Sequence, residues 1–227
     1  MGSDNLKIIA KIYTDFPEKF GIPRQSGIVD NEGVIVFEPE YRNPDAIRGL
    51  EEFNYIWVLW EFSKSRCDNW SPTVRPPRLG GNKRLGVFAT RSPFRPNPIG
   101  LSSLKLLRIE ITENKGPLLY VSGADMLNGT PIYDIKPYLQ YADSHEDATN
   151  GFTDETLGRL SKVEISEHLS EKIRNEDVST ITELLLEDPR PSYQNDQDRV
   201  YSMRYKNYDI KFKVKNDTVY VEEILER

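Results

Sequence analysis

The stretch "NPIGLSSLKLLRIE", residues 97–110, decides the fold class of the chain. Its apolar residues alone fit either a helix or a strand, because a short apolar run does not distinguish the two periodicities. Pro98 and Gly100 place a tight turn at its start, and a segment that leaves such a turn is typical of a strand. We therefore predict that residues 101–110 form a β-strand that leaves this turn.

Similar segments recur through the first 135 residues. Runs rich in branched and aromatic residues predict further strands over residues 6–13, 53–62, 85–90 and 118–124. One short helix is predicted over "NPDAIRGLEEF", residues 43–53, with Asn43 as its cap and Pro44 at its first position. Many short strands and little helix indicate a mainly β fold, a barrel or a sandwich, rather than a doubly wound sheet.

The chain changes character after about residue 150. Two helices are predicted first, over residues 166–176 and 179–188, and then three strands over residues 199–205, 208–214 and 218–224, with turns at 207–208 and 216–217. We therefore expect two domains, a β-barrel over residues 1–155 and a small α+β domain over residues 156–227.

Composition narrows the class of protein. The chain of 227 residues has one cysteine, Cys67, and two histidines, so neither a disulfide framework nor a zinc site is expected. No apolar run approaches the ~18 residues of a membrane span, and the start of the chain does not have the pattern of a signal peptide. We expect a cytoplasmic protein without metal or membrane span.

The charge is distributed unevenly. The formal net charge is -6, but residues 61–110 carry ten Lys or Arg against three acids, a local excess of +7. A basic island in an acidic protein indicates a confined anionic partner rather than general coating of nucleic acid. Arginines that only solvate loops are the alternative.

The basic island contains "ATRSPFRPNPIG", residues 89–100. Its three prolines fix their own φ angles and push the preceding residues towards extended geometry, so the loop is stiff. Arg91 and Arg95 are thus presented by a backbone that loses little entropy when a ligand binds. The loop fits a site for an anionic or nucleotide ligand; a structural loop and a PxxP ligand of an SH3 domain are the alternatives.

A second candidate segment is "MLNGTPIYDIKPYLQYAD", residues 126–143. Asn128 and Gly129 indicate a turn. Beyond them, the carboxylate of Asp134 and the ring of Tyr138 suit the amine and the face of an adenine. The alternative is a structural turn in which Lys136 pairs with Asp134. No Gly-rich dinucleotide motif, Walker motif or nucleophile triad accompanies these segments.

These two segments, together with "PEKFGIPRQSG" (17–27), "EPEYRNPDAIRGLEEFNYIWVLWEF" (38–62) and "LEDPRPSYQ" (186–194), resemble one enzyme family. The family is that of the tRNA N6-threonylcarbamoyladenosine methyltransferases, single β-barrel enzymes that use S-adenosylmethionine (SAM). The resemblance implies a homodimer with SAM in a cleft near the dimer interface. It also implies methylation of the exocyclic nitrogen of the modified adenosine in the anticodon loop of a threonine tRNA.

The resemblance also implies which residues bind and react. The implied SAM-binding residues are Pro23, Arg24, Gln25, Ser63, Lys64, Arg91, Leu101, Asp134, Ile135, Lys136 and Pro137. Family members often have a histidine where this chain has Ser63 and Lys64. The catalytic candidates are Arg95, which we expect to pair with the threonyl carboxylate, and Asp134 and Tyr138, which we expect to contact the acceptor amine or SAM.

Two other classes of function compete with this one. A non-catalytic regulatory module that binds SAM or a nucleotide would need the SAM loop but not the basic cluster at residues 75–95. A nucleotide hydrolase is disfavoured because the sequence offers neither a metal-ligand set nor an evident nucleophile.

Overall fold

The computed structural model describes residues 6–65, 69–76, 79, 83–156, 158–191 and 196–227. Six strands form a closed antiparallel barrel in the order β1-β2-β7-β6-β3-β8. They are β1 (Ala10–Thr14), β2 (Glu32–Phe37), β3 (Tyr55–Glu61), β6 (Ile99–Thr112), β7 (Gly116–Ser122) and β8 (Thr130–Pro137). A short ladder of β4 (Thr73–Val74) and β5 (Leu85–Gly86) lies in the connection between β3 and β6. The mainly β class predicted from the sequence is confirmed.

The barrel interior is filled according to the two-residue period of its strands. Along β3, Ile56, Val58 and Trp60 are buried, while Tyr55 and Trp57 point outwards. β6 continues this pattern, so that Ser102 and Leu104 lie inside the barrel. The other completely buried apolar residues include Ile12, Ile35, Leu119, Val121, Met126 and Ile132.

The strand directions gather three long connections at one end of the barrel. Neighbouring strands are antiparallel all the way round, so β1, β7 and β3 end where β2, β8 and β6 begin. The connections 15–31, 62–98 and 123–129 therefore leave from the same end, which we call the loop end. This topology brings segments that are far apart in the sequence into one region.

The C-terminal part builds a second sheet. After the short helix α1 (Gln140–Asp143), which follows β8, its elements are β9 (Lys162–Glu164), α2 (Glu167–Ser170), α3 (Asn175–Leu186), β10 (Tyr201–Tyr205), β11 (Tyr208–Lys215) and β12 (Thr218–Glu226). The sheet order is β10-β11-β12-β9, with β9 parallel to β12. Its core includes Ile181, Phe212 and Leu184, and it also takes in Phe16 and Val29 from the connection 15–31. No helix in the described ranges is both long and apolar enough to cross a membrane.

Several sequence-based predictions of elements were wrong. Residues 43–53 form two 3₁₀ turns, Pro44–Ile47 and Leu50–Glu52, because Gly49 has a φ of 88° between them. Asn43 does cap the first turn, since its side chain accepts a hydrogen bond of 3.0 Å from the backbone N–H of Asp45.

Other boundaries also differ. The strand predicted over 85–90 is two residues long and continues as a 3₁₀ turn, Val87–Ala89. The helix predicted over 166–176 is restricted to α2, and α3 begins before residue 179. The turn predicted at 207–208 lies at Lys206 and Asn207, where Lys206 has a φ of 50°. The predictions missed β2, β4, β8 and β9, and β8 contains the Asp-Ile-Lys-Pro segment.

Gly100 packs directly against the indole of Trp60, and an added Cβ would lie 2.2 Å from the ring. We predict that Gly100→Ala destabilises the protein by about 1–3 kcal/mol, because a buried ring in a packed barrel cannot move without cost. Gly86→Ala is the matched control, since an added Cβ there meets nothing within 4 Å. Denaturant unfolding of both variants measures the difference, and equal stabilities would contradict this packing.

Candidate active site

The loop end joins three segments that the sequence analysis singled out. The guanidinium of Arg91 donates a hydrogen bond to the side-chain oxygen of Gln25. Lys19 donates from Nζ to the carbonyl oxygen of Lys64 at 2.6 Å and to the Ser65 hydroxyl at 3.0 Å. The segment 17–27 is thus in direct contact with both the segment 63–65 and the loop 89–100.

A row of side chains crosses the outer face of the barrel beside this end. Leu59 on β3 pairs with Leu101 on β6 and with Asp134 on β8. Leu101 is 55% exposed, and Asp134 forms an ion pair of 2.8 Å with Lys136. The hydrogen bond that Lys136 donates to this carboxylate raises the pKa of Lys136 above its ordinary value. Together these residues offer an apolar patch beside fixed charges of both signs.

Two predicted ligand residues face the barrel rather than this patch. Ile135 packs against the hydrophobic core of the barrel, and its N–H donates 3.0 Å to the carboxylate of Asp134. Pro137 pairs with Ile56, whose side chain is buried. In this arrangement the side chains of Ile135 and Pro137 are turned away from a ligand on the outer face.

Arg24 is directed towards the C-terminal part. It donates hydrogen bonds of 2.9 Å to the carbonyl oxygens of both Asp188 and Arg190. Arg190 in turn holds Asp188 with two hydrogen bonds, of 2.7 Å and 2.9 Å. Pro23, which precedes Arg24, is buried. The segment 23–25 is therefore attached on one side to the proline loop, through Gln25, and on the other to the turn 188–190.

Tyr138 lies away from the other catalytic candidates. Its backbone N–H donates 3.0 Å to Tyr55 at the start of β3, and its ring centroid is 5.5 Å from that of Trp57. Tyr138 follows Asp134 by four positions along the chain. At the usual rise per residue of a strand, this corresponds to about 13 Å between the two backbone positions. A single chain therefore does not bring Asp134 and Tyr138 together.

Arg95 folds back on its own loop. One terminal nitrogen of its guanidinium donates 3.2 Å to the carbonyl oxygen of Thr90. Because a guanidinium has five N–H donors, this bond orients the side chain and leaves donors for a ligand.

A buried polar chain at the loop end was not found from the sequence. Trp60 donates 2.9 Å from its indole N–H to the hydroxyl of Ser102, which donates 2.6 Å to a carboxylate oxygen of Asp125. Burial raises the pKa of Asp125 to about 6, although the hydrogen bond from Ser102 and the positive charge of Arg91 lower it. In the sequence, the only indication of this hydrogen-bond chain is a serine, Ser102, at an inward-facing position of β6.

The structure defines the class of protein as a closed six-stranded barrel with charged side chains gathered at its loop end. A family model described as the tRNA-methyltransferase O N-terminal domain matches residues 11–144, and one described as the TrmO C-terminal domain matches residues 158–227. The chain belongs to the tRNA-methyltransferase O family, which confirms the resemblance found in the sequence.

Relatives match nearly the whole chain. The tRNA (adenine(37)-N6)-methyltransferase of Escherichia coli is 35% identical over 223 residues, with 94% of both chains covered. The protein of the same name from Eikenella corrodens is 43% identical over 173 residues, which are 76% of this chain and 97% of the relative. A crystal structure of TrmO from Pseudomonas aeruginosa has a TM-score of 0.78 at 31% identity and covers 99% of this chain and 100% of that chain.

Asp125→Asn tests whether burial raises the pKa of the Asp125 carboxyl group in the folded protein. The folded protein holds the Asp125 proton more tightly than the unfolded chain, whose aspartates titrate near 3.8, so this group lowers stability as the pH rises towards 6. We predict that the free energy of unfolding of Asp125→Asn, relative to wild type, rises by about 1–3 kcal/mol between acid and neutral pH. Denaturant titrations at several pH values measure it.

Asp143→Asn is the control of opposite sign. Hydrogen bonds from the backbone of Leu139 and from Trp57 lower the pKa of Asp143, so this carboxylate stabilises the fold at neutral pH and loses that effect in acid. The asparagine variant should therefore lose stability relative to wild type as the pH rises. The same pH trend in both variants would contradict the description of the Asp125 environment.

Proposed function

We propose that this enzyme transfers a methyl group from SAM to the exocyclic nitrogen of threonylcarbamoyladenosine beside the anticodon of a threonine tRNA. Family membership makes the protein a SAM-dependent tRNA adenine methyltransferase, as the sequence predicted, and this favours an enzyme over a regulatory module. The observation that carries the proposal is the contact between Arg91 and Gln25, which joins two of the expected SAM-binding segments at the loop end.

The residues beside the loop end fit the chemistry of SAM. SAM supplies a methyl group on a positively charged sulfur, and it also carries a carboxylate, an ammonium group and an adenine. Arg91 offers a guanidinium for an anionic group, and Asp134 offers a carboxylate for a cationic or hydroxyl group. The apolar surface of Leu101 and Leu59 suits a flat base. We propose that these residues, with Gln25 and backbone groups of residues 63–64 and 135–137, hold SAM.

Arg95 is our proposed reader of the modification. The threonylcarbamoyl group ends in a carboxylate, and a guanidinium fork binds a carboxylate with two parallel hydrogen bonds. The bond from Arg95 to Thr90 orients the fork, and the prolines on both sides keep the backbone stiff.

Positioning supplies most of the proposed catalysis. The acceptor nitrogen is a poor nucleophile, since its lone pair is delocalised into the purine and into the carbamoyl carbonyl. Holding it in line with the methyl group can provide effective molarities on the order of 10⁵ M or more. Asp134, kept on the outer face by Lys136, is our candidate for the contact with the acceptor amine.

We propose that the protein acts as a cytoplasmic homodimer. The outer face of β6, β3 and β8 exposes large apolar side chains, among them Leu101 at 55%, Leu107 at 42% and Tyr55 at 40%. In a two-fold dimer whose axis runs across the strands, this face meets itself with opposite strand direction, so Tyr138 of one copy can approach Asp134 of the other. Such a dimer would bring together the two candidates that a single chain keeps apart.

We propose a domain boundary at residues 155/156 and a positioning role for the C-terminal domain. The lysines of residues 201–226 are less available for tRNA than their number indicates, because each pairs with an acid. The pairs are Lys206 with Asp177, Lys211 with Glu223, Lys213 with Glu222 and Lys215 with Asp198. Contact between this domain and tRNA stays a prediction, whereas its hydrogen bonds to Arg24 give it a route to the SAM segment.

Arg95→Lys keeps the charge and loses the fork. We predict that methyl transfer to threonylcarbamoylated tRNA falls by roughly tenfold or more, equivalent to about 1.4 kcal/mol or more, while SAM affinity in calorimetry stays unchanged. Arg48→Lys is the matched control, because Arg48 is exposed in the connection 38–54 at the opposite end of the barrel. Unchanged turnover in Arg95→Lys would remove Arg95 from substrate recognition.

A further inference from the structure

Three aromatic side chains project from the long connection between β3 and β6. Trp70 is 51% exposed, Phe88 is 73% exposed and Phe94 is 52% exposed. Large rings are usually at least half buried in a folded protein, and several exposed rings on one connection indicate a binding surface. The SAM site proposed above does not use them.

Trp70 and Phe88 form a pair on a firm support. Their ring centroids are 6.1 Å apart with an angle of 32° between the planes. The turn that carries Phe88 is anchored by Val87, which is fully buried and whose N–H donates 2.9 Å to the carbonyl oxygen of Pro72. The same bond connects this turn to the segment that carries Trp70, so the two rings form one platform.

Phe94 is presented next to the proposed substrate-reading arginine. It lies between Pro93 and Arg95, and its N–H donates 3.2 Å to the hydroxyl of Ser92. Pro93 and Pro96 restrict the backbone on both sides of the ring. The loop therefore loses little conformational entropy when the exposed ring binds a ligand.

The charge around the rings selects the kind of partner. Residues 69–98 contain six Lys or Arg and no Asp or Glu. Single-stranded RNA combines phosphates, which bind such cations, with base faces, which stack on exposed rings. A second copy of this chain fits poorly, because a two-fold contact would set these cations against their own copies.

We propose that Trp70 and Phe88, together with Phe94, form a stacking platform for unpaired anticodon-loop nucleotides that flank the methylated adenosine. The inference rests on the proposed function and deepens it by naming the side chains that hold the neighbouring bases. The cations of the same connection contact phosphates, and the rings contact bases.

Two substitutions of Phe88 separate stacking from general apolar contact. Phe88→Leu keeps an apolar side chain but removes the flat ring, and Phe88→Trp keeps a ring. Binding of the full protein to fluorescently labelled threonine tRNA is measured by anisotropy over a range of salt concentrations, and SAM binding by calorimetry. We expect Phe88→Leu to weaken tRNA binding by roughly tenfold, Phe88→Trp to stay near wild type, and SAM affinity to be unchanged in both.

The salt dependence gives a second, independent readout. Phe88→Leu should leave the slope of log Kd against log salt unchanged, because a ring neutralises no phosphate, whereas Arg84→Gln should reduce it. Tyr141→Leu is the matched control, since Tyr141 is 87% exposed on α1, outside this connection; we expect it to bind tRNA as wild type does.

Three results would overturn the proposal. The first is wild-type tRNA affinity in Phe88→Leu while wild-type protein methylates tRNA, which would leave the proposed function intact. The second is a change in the oligomeric state of Phe88→Leu by light scattering, with tRNA affinity retained, which would assign the rings to contact between copies. The third is wild-type protein that neither binds nor methylates tRNA, which would remove the proposed function as well.

Discussion

Pairing between β1 and β8 closes the barrel, with Ala10 opposite Ile132 and Ile12 opposite Thr130. Without this pairing the six strands would form an open sheet with two free edges, and the connections at its ends would lie in a line. Closure bends that line into a ring, so the connections 15–31, 62–98 and 123–129 face one another. The contacts of Arg91 with Gln25 and of Lys19 with Lys64 exist because of this geometry.

The connections at the loop end are held in place by contacts inside the barrel and by contacts with the C-terminal part. Inside, the indole of Trp60 leaves room only for glycine at residue 100, and it starts the hydrogen-bond chain that reaches Asp125. Outside, the turn 188–190 holds Arg24, and the C-terminal core takes up Phe16. A loop fixed at both ends loses little freedom when a ligand binds, which suits an enzyme whose proposed catalysis is mainly positioning.

Local patterns in the sequence were sufficient to predict some of the strands. The turn at Pro98 and Gly100 identified β6, and the abundance of branched and aromatic residues identified β3. β8 was missed because Pro131 and Pro137 punctuate it, and prolines normally argue against a strand within a sheet. The single helix predicted at 43–53 failed because Gly49 takes a left-handed conformation that no local pattern required.

The candidate site was likewise predictable from the sequence only in part. The segments 17–27, 89–100 and 134–137 were found because their composition is unusual. The direction of Arg24, the distance between Asp134 and Tyr138 and the burial of Asp125 all depend on strand register and on packing between distant segments, which the order of residues does not state. For the same reason, the exposure of Phe88 and the pairing of the C-terminal lysines emerged only from the structure.

A methyl-transfer assay with the wild-type protein tests the proposed reaction and its requirement for the modified adenosine. Radiolabelled SAM is incubated with two samples of the same threonine tRNA, one carrying threonylcarbamoyladenosine beside the anticodon and one with unmodified adenosine there. The proposed reaction predicts that label enters the modified tRNA, on the exocyclic nitrogen of that nucleoside, and does not enter the unmodified one. SAM binding without transfer to either tRNA, or equal labelling of both, would contradict it.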